Sequence, residues 1–375
     1  VKVLVLNCGS SSIKHRLFEM PNDHEPGGIE LGRGAIEGIG AEGSVADHAA
    51  GLRQVCDELG VEPEIVAHRV VHGGERFVAP IVIDDEVVAE LDRLNPLAPL
   101  HNPANVLGIR VAREWFPRAT HVAVFDTAFH ATLPLYASHY AIPKHLATEH
   151  GVRRYGFHGS SHAWASQRAA ELLGRPLEEL RLVILHLGAG ASATAVLGGK
   201  SIDTSMGMTP MEGLVMATRA GDIDPGVPLF LQRELGMTAA EVDRLLNRES
   251  GLRGYCDESD LREVLRRADE GDTDAQLAVE AYVYRIAKYV GAYAVALGGL
   301  DAVVFTAGVG ERSAPIRALV AQRLTLFGAK LDAEANDAST SEDRAIQTAD
   351  SPVALLIVAT NEELQIAREA AALVE

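Results

Sequence analysis

Cysteine is scarce in this chain: three residues in 375, an odd number, with no Cys-x-x-Cys spacing. A disulfide framework is therefore not expected, and a reducing compartment is. Basic residues are also few. Lys and Arg number 34 against 52 Asp and Glu, for a net charge of −18. Nucleic acids and anionic membranes need a basic face, so neither is expected as a partner. An anionic substrate would need a local cluster of cations set against the overall field. No apolar run is long enough to span a bilayer. The least charged stretch, 291–310, contains Asp301 and several glycines and reads as a helix end, a turn and a buried strand. No cationic segment followed by an apolar one opens the sequence, so a cytoplasmic location is expected. What remains is an ordinary globular composition, 47% hydrophobic and 23% charged, over a length that suits two or three domains.

Short apolar runs end abruptly in polar or glycine residues. Runs at 3–6, 65–67, 121–125, 182–185, 302–305 and 353–359 are followed by Asn7, His68, Asp126, His186, Thr306 and Thr360. Near-continuous Val/Ile/Leu runs suit strands covered on both faces. Helical periodicity lies between them, at 103–115, 162–173, 239–247, 275–297 and 314–327. The alternation predicts an α/β fold, with ligands gathering beyond the carboxyl ends of the strands. Residues 3–12 and 183–192 echo each other as strand, small-residue turn and second strand, which suggests two similar domains. Segments 21–43 and 333–350 read as surface hairpins and an exposed connection.

Two phosphate motifs fail. Gly199-Lys200-Ser201 ends like a P-loop, but Thr194 stands where its first glycine belongs. Gly308-Val309-Gly310 begins a GxGxxG that ends in Ser313. Other segments are richer. Asn7-Cys8-Gly9-Ser10-Ser11-Ser12-Ile13-Lys14 combines close backbone approach, hydroxyl donors at Ser10 and Ser12, and the Lys14 charge, as an anion requires. The Gly188–Ala191 turn, with Gly190 inside it, matches it in the second half. Arg69 and Arg219 are candidates for the local cations, since guanidinium grips carboxylate or phosphate bidentately. Asp126 and Glu362 follow strands, where carboxylates hold Mg²⁺ together with substrate phosphates or merely cap helices. The pairs His68/His72 and His158/His162 lack a third ligand and the Glu of HExxH, so zinc is not expected.

The motifs VLVLNCGSSSIK (3–14), HRVVHGGERF (68–77), PLHNP (99–103), VFDTAFH (124–130), YGFHGSSH (155–162), HLGAGAS (186–192), TRAGDIDPG (218–226), FTAGVGE (305–311) and TNEEL (360–364) together resemble the acetate kinase (acetokinase) family of the sugar kinase/Hsp70/actin superfamily. The resemblance implies two duplicated ββαβαβα domains of ribonuclease H-like architecture flanking a cleft. Residues 1–130 plus 364–375 would form the first and 131–363 the nucleotide-binding second. It implies reversible transfer of the ATP γ-phosphoryl to acetate, giving acetyl phosphate and ADP, with Mg²⁺ or possible substitution by Mn²⁺, in a homodimer. Asp126, Arg69, Arg219 and His158 would be catalytic, with His186 on the phosphate side. Asn7 and Glu362 would serve the metal. Val71, Leu100, Phe157 and Pro210 would wall a methyl pocket beside Arg69, and Asp260, Arg262, Gly308 and Gly310 would surround the adenosine. Acetate is ionised at neutral pH and needs no strong base; the obstacle is repulsion between two anions, which positive groups must neutralise.

The sequence departs from the family pattern at four places. Ala189 stands where the turn HLGNGAS has Asn, residues 255–259 differ before Asp260, Ala359 replaces Pro, and His15 replaces an apolar residue. The alternatives are therefore a propionate or butyrate kinase, since a methylene is worth only ~1–3 kcal/mol of discrimination, and a nucleotide-binding regulator with weakened catalysis.

Overall fold

The computed structural model describes residues 1–9, 12–21, 27–39, 45–99 and 101–374. The chain divides into two compact units: Val1–Ala131, Phe157–Ser161 and Asn361–Glu375 form the first, and Thr132–Gly156 with His162–Thr360 the second.

Among the described residues each unit is built on one six-stranded sheet. The first contains β1 (Lys2–Cys8), β2 (Ser12–Glu19), β3 (Ile29–Glu37), β4 (Ile65–Val70), β5 (Ile81–Val82) and β6 (Thr120–Phe125), in the order β3-β2-β1-β4-β6-β5. The second contains β7 (Arg181–Leu187), β8 (Ala191–Leu197), β9 (Lys200–Thr204), β10 (Ala302–Thr306), β11 (Arg344–Ala345) and β12 (Ala354–Ile357), in the order β9-β8-β7-β10-β12-β11. The two orders are the same pattern. Three antiparallel strands lead into three parallel ones, and a two-residue antiparallel strand closes the edge. The echo between 3–12 and 183–192 is the matching pair of hairpins β1–β2 and β7–β8. Each unit adds to the expected ββαβαβα pattern a third antiparallel strand, β3 or β9.

The central strands are apolar throughout because both faces are covered. In β1 the alternate residues Leu4, Leu6 and Cys8 join a core with Leu52, Val55, Val111 and Phe116 from the helices His48–Leu59 and Asn102–Trp115. Val3 and Val5 are equally buried. By strand periodicity they face the other way, and the helix Glu362–Val374 packs against β1, β4 and β6. In the second unit the helix Thr273–Ala296 packs against β7 and β8. Its N-terminus is capped by the Asp272 side chain, and Gly298 and Gly299 at positive φ end it.

Three expectations need correction. The run at 65–67 continues to Val70, with His68 and Arg69 inside the strand, because both polar side chains find buried partners on β6 or just beyond it. Segment 21–43 contains the nine-residue strand β3, whose outer-edge exposure and glycines hid it. Segment 333–350 is no simple exposed connection: Asn336 and Ile346 are buried, and Asn336 accepts from the guanidinium of buried Arg317 at 2.8 Å. No described helix is long and apolar enough to cross a membrane.

Candidate active site

In the first unit the chemistry gathers at the carboxyl ends of β4 and β6. These strands are parallel neighbours, with Arg69 opposite Val124, so Asp126, one residue past β6, comes alongside the Arg69 side chain. The guanidinium donates two parallel hydrogen bonds, Nε to Oδ1 and Nη2 to Oδ2, each 2.8 Å. Glu362, the first residue of its helix, brings Oε2 to 3.7 Å from the same Nη2. Burial opposes the Arg69 charge, yet the two carboxylates outweigh it and hold the guanidinium pKa above its ordinary value. Burial pushes the Glu362 carboxyl up; Arg69 opposes this and the Asp126 charge adds to it. One cation between two carboxylates leaves a net negative charge in a largely dry place.

His158 and Gly159 are set against Asp126 by the backbone. The Gly159 N–H donates to the Asp126 carbonyl at 2.9 Å. A Cβ on residue 159 would lie 2.3 Å from that oxygen, so only glycine fits. His158 is left-handed, at φ +58°; a non-glycine residue in that region is strained, and such strain concentrates at functional sites. Phe157 is buried, its carbonyl accepts a hydrogen bond from the His130 ring at 2.9 Å, and its ring meets the His72 edge at 5.6 Å.

The loop after β4 is clamped by two asparagines that sequence reasoning quoted or passed over without a role. Asn102 accepts from the His72 N–H and donates to the His72 carbonyl. Asn105 accepts from the Val71 N–H and donates to the Cys8 carbonyl at 2.7 Å. Thr127, beside Asp126, accepts from the Gly73 N–H. The PLHNP motif was the available signal: an asparagine at a helix start is suited to tying down a neighbouring loop. Asn7 pairs across the hairpin with Lys14, whose charge reaches Glu362. The Ser12 carbonyl accepts from the Gly9 N–H at 2.8 Å, closing the turn. Ser10 and Leu100 lie outside the described residues.

The second unit holds a pocket of about 930 Å³, large enough for a nucleotide. Its wall includes Gly188, Gly190, Arg219, Asp260, Arg262 and Gly308. A Cβ on residue 308 would meet nothing, so that backbone faces open space. Arg219 donates to the Pro210 carbonyl at 3.0 Å and has no ion pair among the described residues. Burial alone lowers its pKa. A cation desolvated without an anion is poised to receive one. Asp260 caps the helix Leu261–Asp269 and accepts from the Arg262 guanidinium at 2.6 and 3.0 Å. That pairing, with the Arg262 N–H bond, lowers its pKa to about 2. Gly310 is not part of this wall; it is buried against the Phe305 backbone. His186 ends β7 and its ring lies 6.2 Å from that of His162, which bonds Ser192 Oγ at 2.8 Å.

The matching sheets, the Arg69–Asp126–Glu362 cluster and the glycine-walled pocket have counterparts in known proteins. The family model described as "Acetokinase family" matches residues 2–368. The acetate kinase of Streptomyces avermitilis is 50% identical over 399 residues, covering 100% of this chain and 97% of that protein. The crystal structure of Porphyromonas gingivalis acetate kinase superposes with a TM-score of 0.92 at 40% identity, covering 100% of both chains. A propionate kinase structure from Francisella tularensis superposes with a TM-score of 0.91 at 40% identity over 98% of each. With motifs, strand order and full-length similarity in agreement, the chain belongs to the acetokinase family.

Proposed function

We propose that this protein catalyses reversible transfer of the γ-phosphoryl group of ATP to acetate, giving acetyl phosphate and ADP. An acetate oxygen attacks the γ-phosphorus in line; the bond to the β–γ bridging oxygen breaks, and that oxygen leaves with its electron pair on ADP. No proton need be removed, because the acceptor is already a carboxylate. The observation that carries the reading is Arg219: a buried guanidinium with no anionic partner among the described residues, in the wall of a pocket bordered by glycine turns. The reading assigns ATP to this unit, with Asp260, Arg262 and Gly308 around the adenosine and Gly188, Gly190 and His186 toward the phosphates. It assigns acetate to the first unit, with Val71 and Phe157 against the methyl group and His158 and Arg69 toward the transferring oxygens.

A divalent metal fits the residues present. Asp126 and Glu362 share one guanidinium and retain a net negative charge, and Asn7 adds a neutral oxygen. An all-oxygen donor set with few protein ligands is the chemistry of Mg²⁺, with Mn²⁺ able to substitute. When bound, the metal would neutralise phosphate charge. We assign Asn7 and Glu362 to hold it and Asp126 to orient Arg69. The reading extends to a homodimer in the cytoplasm. In support, the helix Gly226–Leu235 has no buried residue and exposes Leu229, Phe230 and Leu235.

The test is steady-state assay with ATP and a C2–C4 acid series, trapping acyl phosphate with hydroxylamine. The expected result is acyl phosphate formation that requires ATP and a divalent metal, with acetate preferred. Arg69→Ala and Arg219→Ala should each lose ~10³-fold or more, the scale of arginine contributions to phosphoryl transfer. No acyl phosphate with any acid, or near-normal turnover in either variant, refutes the reading. The propionate kinase likeness gives a second reading, in which the C3 acid has the highest kcat/KM in the same series.

A further inference from the structure

Tyr282 sits inside the helix Thr273–Ala296 and is 2% exposed. Its Oη is buried with no hydrogen-bond partner among the described residues. Buried polar atoms are nearly always paired, so an unpaired one calls for an explanation. A phenylalanine would fill the same space without the penalty. Tyr282 also forms part of the wall of the 930 Å³ pocket, where it is the only contribution of its long helix among the described residues. A residue that reaches a pocket alone from its helix does so with its side chain. Burial pushes the phenol pKa up, so the group stays an O–H, able to donate as well as accept.

The surroundings indicate what it meets. The short helices Gly251–Cys256 and Leu261–Asp269 pack against the Tyr282 helix, and they supply Leu252, Leu261 and Leu265 to the same wall. An apolar wall of this kind suits a flat heteroaromatic ring rather than a phosphate, which the glycine turns and Arg219 suit better. A second orphan lies in the same wall: Ser313 Oγ is also buried without a partner among the described residues. Two hydroxyls in one pocket, each donor and acceptor, match a purine edge, which alternates ring nitrogens with an exocyclic group.

We propose that the Tyr282 hydroxyl hydrogen-bonds the purine base of the nucleotide, with Ser313 Oγ as a second base contact, and that Tyr282 sets the preference for purine over pyrimidine nucleotides. The proposal rests on the assignment of this pocket to ATP. It makes the unpaired hydroxyl a feature of the free protein that the ligand relieves.

The test is Tyr282→Phe in the full chain, with Ser313→Ala as an independent second variant. ADP and UDP binding is followed by calorimetry, and ATP and UTP turnover by acyl phosphate trapping. For Tyr282→Phe the expected result is a ligand-free melting temperature equal to or above that of the parent. Affinity for ADP and KM for ATP should weaken about 3–10-fold, the worth of one neutral hydrogen bond. KM for acetate and binding of UDP should change less than twofold. A lower ligand-free melting temperature would mean the hydroxyl serves the fold and would overturn the proposal. Unchanged ADP affinity would overturn it as well, and equal losses for ADP and UDP would move the contact to ribose or phosphate. Ser313→Ala should weaken ADP binding without weakening UDP binding; if ADP affinity is unchanged, the Ser313 contact is withdrawn. If the parent binds ADP but forms no acyl phosphate, the proposed reaction fails while the calorimetry still decides the role of Tyr282.

Discussion

Gly159 offers a sharp test of how backbone proximity serves the site. In Gly159→Ala the new Cβ would stand 2.3 Å from the Asp126 carbonyl oxygen, 3.1 Å from its carbonyl carbon and 3.0 Å from Phe129 Cβ. Ordinary carbon contacts begin near ~3.5 Å, so the His158–Gly159 segment must retreat from Asp126 by roughly 1 Å. The obstacle is backbone on one side and a packed ring on the other, so no flexible side chain can absorb the change. The retreat also lengthens the 2.9 Å hydrogen bond from the Gly159 N–H. Overpacking of this kind costs ~1–3 kcal/mol of stability, which a protein of this size tolerates. A displacement of ~1 Å among groups that position a reaction costs ~10²-fold in rate. The expected outcome is a folded protein with a melting temperature lowered by a few degrees and kcat for acetyl phosphate formation down about a hundredfold. Gly32→Ala is the control. Its Cβ would meet nothing within 4 Å, and both stability and kcat should be unchanged. Full kcat in Gly159→Ala would refute the claim that this contact holds His158 in register with Asp126.

Two further outcomes follow from features away from the site. Gly291 lies in the helix Thr273–Ala296 with nothing near its missing side chain, so Gly291→Ala should stabilise by ~0.5–1 kcal/mol through the lost freedom of the unfolded chain, read as a small rise in melting temperature with unchanged kcat. His68 Nε2 and His121 Nδ1 are 3.1 Å apart, and His121 Nε2 faces the Phe116 carbonyl at 3.1 Å. The carbonyl can only accept, which assigns the proton to His121 Nε2, leaves Nδ1 as acceptor and makes His68 the donor. Burial, with the neighbouring charges of His121 and Arg113, lowers the His68 pKa, and burial lowers that of His121. Above pH ~6.5 both states are neutral; below it the unfolded chain takes up protons that the folded one refuses, so stability falls as pH falls. The double variant His68→Gln/His121→Gln should show a shallower loss of melting temperature between pH 6.5 and 5; an unchanged slope would refute the assignment.

The sheets were legible because buried strands advertise themselves as uninterrupted Val/Ile/Leu runs, and the turns that follow them are rich in glycine and polar residues. Arg69, Asp126 and Glu362 were legible as polar residues at strand ends, whereas their mutual geometry was not, since it depends on the parallel pairing of β4 with β6. Asn105 was invisible: a buried asparagine in an otherwise amphipathic helix is indistinguishable from a surface one until its partners, the Val71 N–H and Cys8 carbonyl, are known. Tyr282 was hidden for the opposite reason, because an aromatic residue at a core position of a helix reads as packing. Strand β3 escaped because its residues are mostly exposed, and the short strand β11 because two residues carry no periodicity.

The helix Glu362–Val374 covers β1, β4 and β6, yet the whole second unit separates it from them along the chain. At ~5–20 residues per second of synthesis, the N-terminal sheet stays bare on that face for on the order of tens of seconds while the ribosome completes the rest. Val3, Val5 and their neighbours are then open to any passing apolar surface. A chaperone that shelters nascent chains has its natural docking place there, and release at the C-terminus supplies in one step both the missing cover and the carboxylate of Glu362.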